Sequence, residues 1–291
     1  MVQNAMFQNS WVQTLCLTSA ALMAFAANSV LCRLALSSHE MDAMSFTVIR
    51  LLSAMLVLSV LVFWRHQPSR RESQAGWSSA WLLFVYAACF SWAYVSLDTG
   101  TGALILVGAV QITMIVHALR SGQRLNVWAW LGLCLACLGF VYLVLPGVSA
   151  PSPLGMVLML CSGVAWGLYT VHGRASTQPL HDTALNFMRT LPFVALLALS
   201  SWGHVNISWH GVLWAMLSGG LASALGYVLW YMALAGLTTM QAAVLQLLLP
   251  LIAAIGGVVF VGEALSMRLL LASAMILGGV SLVLRANAHD S

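Results

Sequence analysis

Lysine is absent from this 291-residue chain, so its 11 basic residues are all arginine, and only 7 residues are acidic. Charged residues make up 6% of the whole and hydrophobic ones 61%. A water-soluble domain carries about 25% charged residues, so a soluble globular fold is excluded. No aspartate or glutamate falls in the central part of an apolar run, which argues against proton coupling through a buried carboxylate. The eight histidines are dispersed and mostly fall in predicted loops, which argues against an intramembrane enzyme. No catalytic residue, metal or cofactor is expected. Residues 1–13 contain no Lys or Arg and the first apolar run is of full span length, so nothing there resembles a cleaved signal peptide. The formal net charge of +4 comes from loop arginines and bears on orientation, not on nucleic acid, which is not an expected partner.

Of the six cysteines, Cys134 and Cys137 form a C-x-x-C pair. They lie in mid-helix, with no histidine or basic group to activate a thiol, and read as small apolar packing residues.

What the chain does have is long apolar runs. A membrane-crossing helix needs roughly 20 apolar residues. The predicted spans are 14–36, 47–64, 79–98, 102–119 and 127–145, then 153–172, 182–202, 211–235, 239–260 and 267–284. Pro146-Gly147 and Pro151–Pro153 mark a short rigid link between two sets of five. The expected divisions are a tail at 1–10, a first five-helix repeat at 11–148, a second at 149–285, and a tail at 286–291.

A fixed offset of about 140 residues relates the sets, as internal repeats do. Leu97, Thr99, Ala103, Ile112, Ile115, Gly122, Leu125 and Gly139 recur as Leu237, Thr239, Ala243, Ile252, Ile255, Gly262, Leu265 and Gly279. The matching turn, Gly-x-x-Leu, is followed by Asn126 or Ser266, each placed to cap a helix through its side-chain oxygen. The first helices correspond as well: Phe25 through Asn28 to Arg33 aligns with Trp166 through Tyr169 to Arg174, and Arg50 with Arg189. An odd number of spans per repeat forces the second half to enter from the opposite side. The predicted fold is therefore an all-α membrane protein, ten transmembrane helices as two inverted five-helix repeats around a central cavity, an architecture common among secondary transporters.

Arginine is unevenly spread over the loops. Arg65, Arg70, Arg71, Arg120, Arg124, Arg174, Arg189 and Arg285 lie on one side, and Arg33, Arg50 and Arg268 on the other. The richer side is expected to be cytoplasmic, with both termini there, in a plasma (bacterial inner) membrane. Trp11, Trp64, Trp77, Trp81, Trp128, Trp202 and Trp209 near span ends suit an interfacial belt.

Ten spans in two inverted halves, with Ala165-Trp166-Gly167, Pro250 and Gly262-Glu263-Ala264-Leu265, resemble the EamA-type carriers of the drug/metabolite transporter superfamily. The resemblance covers essentially the whole chain. It implies that the first four helices of each half surround a cavity, and that small metabolites such as amino acids are moved, often outward, as by the aromatic amino acid exporters. The first half departs from the pattern: Phe25-Ala26 replaces Trp-Gly, Val110 takes the proline position and Gln123 stands where Glu263 does.

The candidate substrate-binding residues are Asn28, Trp92, Tyr94, Gln111, His117, Trp166, Tyr169, Tyr227, Gln246 and Pro250. Pro250 frees the carbonyl of residue 246 and kinks the ninth helix. Gln246 is one turn earlier, so an amide and a carbonyl are expected to face a polar ligand; the alternative is a packing kink with Gln246 bonded to a neighbouring helix. Trp166 and Tyr169 share a face and offer flat apolar surfaces with hydrogen-bonding handles. His117 shares a face with Val110, or sits at the interface. Arg50 and Arg189, at the start of the second helix of each half, read as arginines snorkelling to headgroups, with gating or carboxylate binding as the alternative. Glu263 reads as ordering the turn into the last helix, and Asp98 as a helix-end residue.

The expected partners are a small-molecule substrate and the bilayer; the sequence leaves the oligomeric state open. The expected function is a secondary transporter, exporter or facilitator of small uncharged or zwitterionic metabolites such as amino acids, working by alternating access. The alternatives are a proton-coupled drug or nucleoside exporter of the same fold, an intramembrane enzyme, or a sensor.

Overall fold

The computed structural model describes residues 11–37, 40–64, 76–120, 122, 126–145, 151–173, 176, 178–200, 205–234, 236–237 and 245–288. The described residues are helical almost throughout, and the only β pairing among them is an isolated bridge between Met41 and Ile207. A bilayer offers no partner to an unpaired backbone group, and an apolar chain meets that demand by bonding each N–H within its own helix.

The first set comprises α1 (Trp11–Ser37), α2 (Ala43–Trp64), α3 (Trp77–Tyr94), α4 (Thr99–Arg120) and α5 (Val127–Val144). The second begins with α6 (Pro153–Gly173). Next comes α7, in two pieces, Pro179–Arg189 and Leu191–Ser200. The break at Thr190 precedes Pro192, which has no N–H and whose ring crowds the carbonyl four residues back. The helix α8 runs as Trp209–Met216, a π-helical stretch Leu217–Leu225, and Gly226–Leu234. Then α9 runs as Leu249–Gly256 and a π turn Gly257–Val261, and α10 is Met267–Ala288. Among the described residues six helices are long and apolar enough to cross a membrane, and three shorter apolar ones cover Val127–Leu143, Leu249–Val261 and Met267–Val283. The predicted ninth span at 239–260 lies partly outside the described residues.

The repeat signal has a local structural counterpart. Gly122 and Gly262 both adopt the left-handed conformation, with φ of 89° and 76°, a region that glycine enters without a Cβ penalty. Asn126 Oδ1 accepts from the Ala129 amide at 3.0 Å, and Ser266 Oγ accepts from the Leu269 amide at 3.1 Å. Both caps are as the sequence predicts.

Packing between the sets follows one pattern. Helix α3 packs on α6 and α1 on α8; α4 packs on α6 and α1 on α9; α2 lies against α7, α4 against α9, and α5 against α10. Exchanging the first set for the second maps these contacts onto one another. The last pair is antiparallel: Asn126 before α5 donates to the Ala286 carbonyl at the end of α10, and Arg268 at the start of α10 donates to the Leu145 carbonyl after α5. The two helices meet closely at Gly132 and Gly279, where a Cβ on either would run into the other's carbonyl oxygen.

The side on which α1 begins is here called near, and the other far. Trp11, Trp64, Trp77, Trp81, Trp128 and Trp209 are exposed near helix ends, as a belt requires; Trp202 lies outside the described residues. Cys134 and Cys137 are exposed on α5, so they do not serve as buried packing residues.

Candidate functional site: a central aromatic cavity closed on the far side

The helices α1, α3, α4, α6, α8 and α9 enclose a cavity of about 570 Å³. Its wall runs from Phe90 and Ala103 to Gly173, Ser176, Pro179 and Leu237, so it reaches from the middle of the bundle to the near side. Trp166 is the hub of its ring system. Tyr169 stacks on it at 5.4 Å between centroids, Tyr86 lies at 4.8 Å and Tyr227 at 5.1 Å. Phe25 meets Tyr227 at 5.9 Å and Trp230 at 6.1 Å. Such ring pairs contribute about 0.5–1.5 kcal/mol each beyond area burial. Polar groups are interspersed. Asn28 accepts from the Ser218 hydroxyl at 2.5 Å, while the buried Ser223 hydroxyl on the cavity wall has no partner among the described residues. Gln111 and Gln246 lie on the wall as well, and among the described residues no Asp, Glu or Arg does.

Both serines belong to the π-helical stretch of α8. A π turn inserts an extra residue and re-aims side chains, and such turns occur frequently at functional sites. The sequence carried no sign of it.

The far side is closed. Arg33, near the end of α1, donates from Nε to Glu263 Oε1 at 3.0 Å and from Nη1 to the Tyr94 and Val95 carbonyls. Glu263 also accepts from the Thr99 amide through both carboxylate oxygens, at 3.0 and 2.8 Å, so it caps α4. Asp98 stands 3.6 Å from Arg33 and is largely exposed. One carboxylate thus joins the ends of α1, α4 and α9. It does more than order its own turn, which is how the sequence reads it. Beneath it the Tyr94 ring is fully buried, its hydroxyl donating to the Thr99 carbonyl.

Of the predicted site residues, the cavity brings together Asn28, Gln111, Trp166, Tyr169, Tyr227 and Gln246. It does not include the other four. Tyr94 packs above it, Trp92 is half-buried against the surrounding core, and His117 is exposed near the end of α4. Pro250 sits in an apolar groove between α9 and α10. The expected mid-helix kink is instead an interruption: Leu247 and Leu248 form a turn, and the helix restarts with proline in its first turn. There its missing N–H costs nothing. The interruption turns Gln246 towards the cavity and Pro250 away from it. The wall residues Phe25, Tyr86, Phe90, Ser223 and Trp230 were not among the candidates.

Arg50 departs furthest from the sequence reading. It is the eighth residue of α2, buried, and bonded through Nη2 to the Tyr86 hydroxyl at 3.0 Å, not snorkelling. The sequence reading started α2 four residues too late, which put Arg50 nearer the interface. Arg189 is likewise inside its span, next to the break in α7.

Comparison with known proteins agrees with this architecture. The EamA-like transporter family model matches residues 12–145 and again 153–285. The chain belongs to the EamA-like transporter family. An uncharacterized protein of Pseudomonas aeruginosa is 50% identical over 272 residues, 94% of each chain. The uncharacterized transporter YwfM of Bacillus subtilis is 29% identical over 86% of each. The threonine/homoserine exporter RhtA of Escherichia coli is 30% identical over 168 residues, 55% of each. A crystal structure superposes with a TM-score of 0.61 at 20% identity, covering 94% of this chain and 99% of the other. This EamA protein is an integral membrane transporter and not an enzyme.

Proposed function

We propose that this EamA protein is an exporter or facilitator of small uncharged or zwitterionic metabolites, amino acids foremost, in the inner membrane. The observation that carries the reading is the cavity itself. It is large enough for an amino acid, lined by rings and uncharged polar groups, and closed on one side by a carboxylate-centred lock. The name of RhtA, a threonine/homoserine exporter, favours the same substrate class. Among the described residues no carboxylate lies on the wall, which favours gradient-driven movement over proton coupling.

Alternating access follows from inverted halves, 11–148 and 149–285. The double family match and the exchange-symmetric packing support this division. Repeat-equivalent helices α5 and α10 run antiparallel, which fits a two-fold axis perpendicular to the helices, in the membrane plane. Both termini then lie on the near side, and the excess of loop arginine there favours the cytoplasm as the side it faces. A reporter fused at the C-terminus that works only in the cytoplasm should be active; one active only outside the cytoplasm would reverse the orientation.

In proteoliposomes, Gln246→Leu keeps bulk and deletes the amide. It is expected to lower amino-acid flux about tenfold, the loss of one hydrogen bond to a polar ligand (about 1.4 kcal/mol), with unchanged folded yield. Flux equal to the parent would remove Gln246 from the site.

A further inference from the structure

The Arg50 guanidinium is enclosed and only partly satisfied. The residue is 3% exposed, and its charge lies over the Tyr86 ring at 5.3 Å and the Phe90 ring at 4.6 Å. Both rings form part of the cavity wall. Nη2 is bonded to the Tyr86 hydroxyl, while Nη1 is buried with no hydrogen-bond partner among the described residues. Among the described residues no carboxylate pairs with it. Glu263 and Asp98 are taken up by Arg33, Asp182 accepts from Ser176, and Asp42 accepts from the Ser45 and Asn206 amides. A buried cation without a counter-ion is costly, and aromatic faces offset only part of that cost. The arrangement is complete when an anion supplies what Nη1 lacks. The position is suited to it, because the guanidinium lies against two rings that themselves line the cavity.

We infer that Arg50 is the carboxylate-recognition residue of the transport site, taking the α-carboxylate of an amino-acid substrate through its free Nη1 edge. This rests on the amino-acid reading above and narrows it: the carried species must bear an anionic carboxylate. The rings of Tyr86 and Phe90 hold the guanidinium in place beside the cavity wall. A carboxylate entering from the near side meets the guanidinium past these rings, deep in the site and below the far-side lock. A guanidinium suits this role because its planar N–H groups match the two oxygens of a carboxylate.

The test compares threonine with threonine amide, which keeps the side chain and amine but lacks the anion. Binding is followed by thermal shift and by flux into proteoliposomes, for the parent and for Arg50→Gln. The parent is expected to bind threonine at least tenfold more tightly than the amide, and Arg50→Gln to bring the two within about twofold. If Arg50→Gln does not fold, Tyr86→Phe removes only the hydroxyl that holds the guanidinium and should reduce the same preference. Equal binding of acid and amide by the parent, or a preference that survives in the folded variant, overturns the inference and leaves amino-acid transport standing. If no member of an amino-acid panel binds the parent, the amino-acid reading itself fails, and this inference fails with it.

Discussion

Glu263→Ala is expected to be the most disruptive single change in the far half of the molecule. It leaves the exposed Asp98 as the charged partner of the Arg33 guanidinium, whose side chain is 15% exposed, and strips the Thr99 amide of both acceptor oxygens. Removing one member of a largely buried pair costs about 3–5 kcal/mol, because the remaining charge is left uncompensated. The lower end applies here, since Asp98 and the Tyr94 and Val95 carbonyls still hold Arg33. The melting temperature should fall by several degrees. Cys32, fully buried beside Arg33, supplies a second readout. Its alkylation, mapped by mass spectrometry, should quicken as the far side opens more often. Glu263→Gln keeps one acceptor and should fall between. A Glu263→Ala protein that melts with the parent and protects Cys32 equally would show that this cluster does not hold the far side shut.

Trp166→Leu is expected to affect transport more than any other change on the cavity wall. It removes ring contacts with Tyr86, Tyr169 and Tyr227 together, at about 0.5–1.5 kcal/mol each. Leucine fills part of the space, so most of the loss appears as disorder of the remaining rings around the substrate. Flux should drop more than tenfold while the protein still purifies as a folded monodisperse species. A Trp166→Leu variant that keeps parental flux would contradict a substrate path past this ring.

Local chemistry was legible in the sequence. Gly122 and Gly262, with Asn126 and Ser266, announce the same turn twice, because a left-handed glycine and a cap act within a few residues. Trp166, Tyr169 and Tyr227 were readable as rings at span depth. The facing of α3 was not. Polar residues normally mark a helix's outer face, and a nearly all-apolar helix against lipid carries no such stripe. The sequence therefore points to Trp92 and Tyr94 on α3, whereas Tyr86 and Phe90 line the wall. Gln246 lies on the cavity wall without the kink that the sequence predicts: Pro250 does not turn inward with it, because the helix restarts at Leu249. The roles of Arg50 and Glu263 depend on partners 36 and 164 or more residues away, which periodicity does not reveal.

The most direct measurement of the central claim, that the cavity between the halves is the transport site, is substrate protection at its wall. In a chain whose six native cysteines are replaced, Gln246→Cys is labelled with a water-soluble maleimide with and without saturating threonine. The account predicts labelling from the near side, slowed at least fivefold by threonine, as expected for a site largely occupied at saturation. Labelling at one unchanged rate with every amino acid of a panel would contradict it.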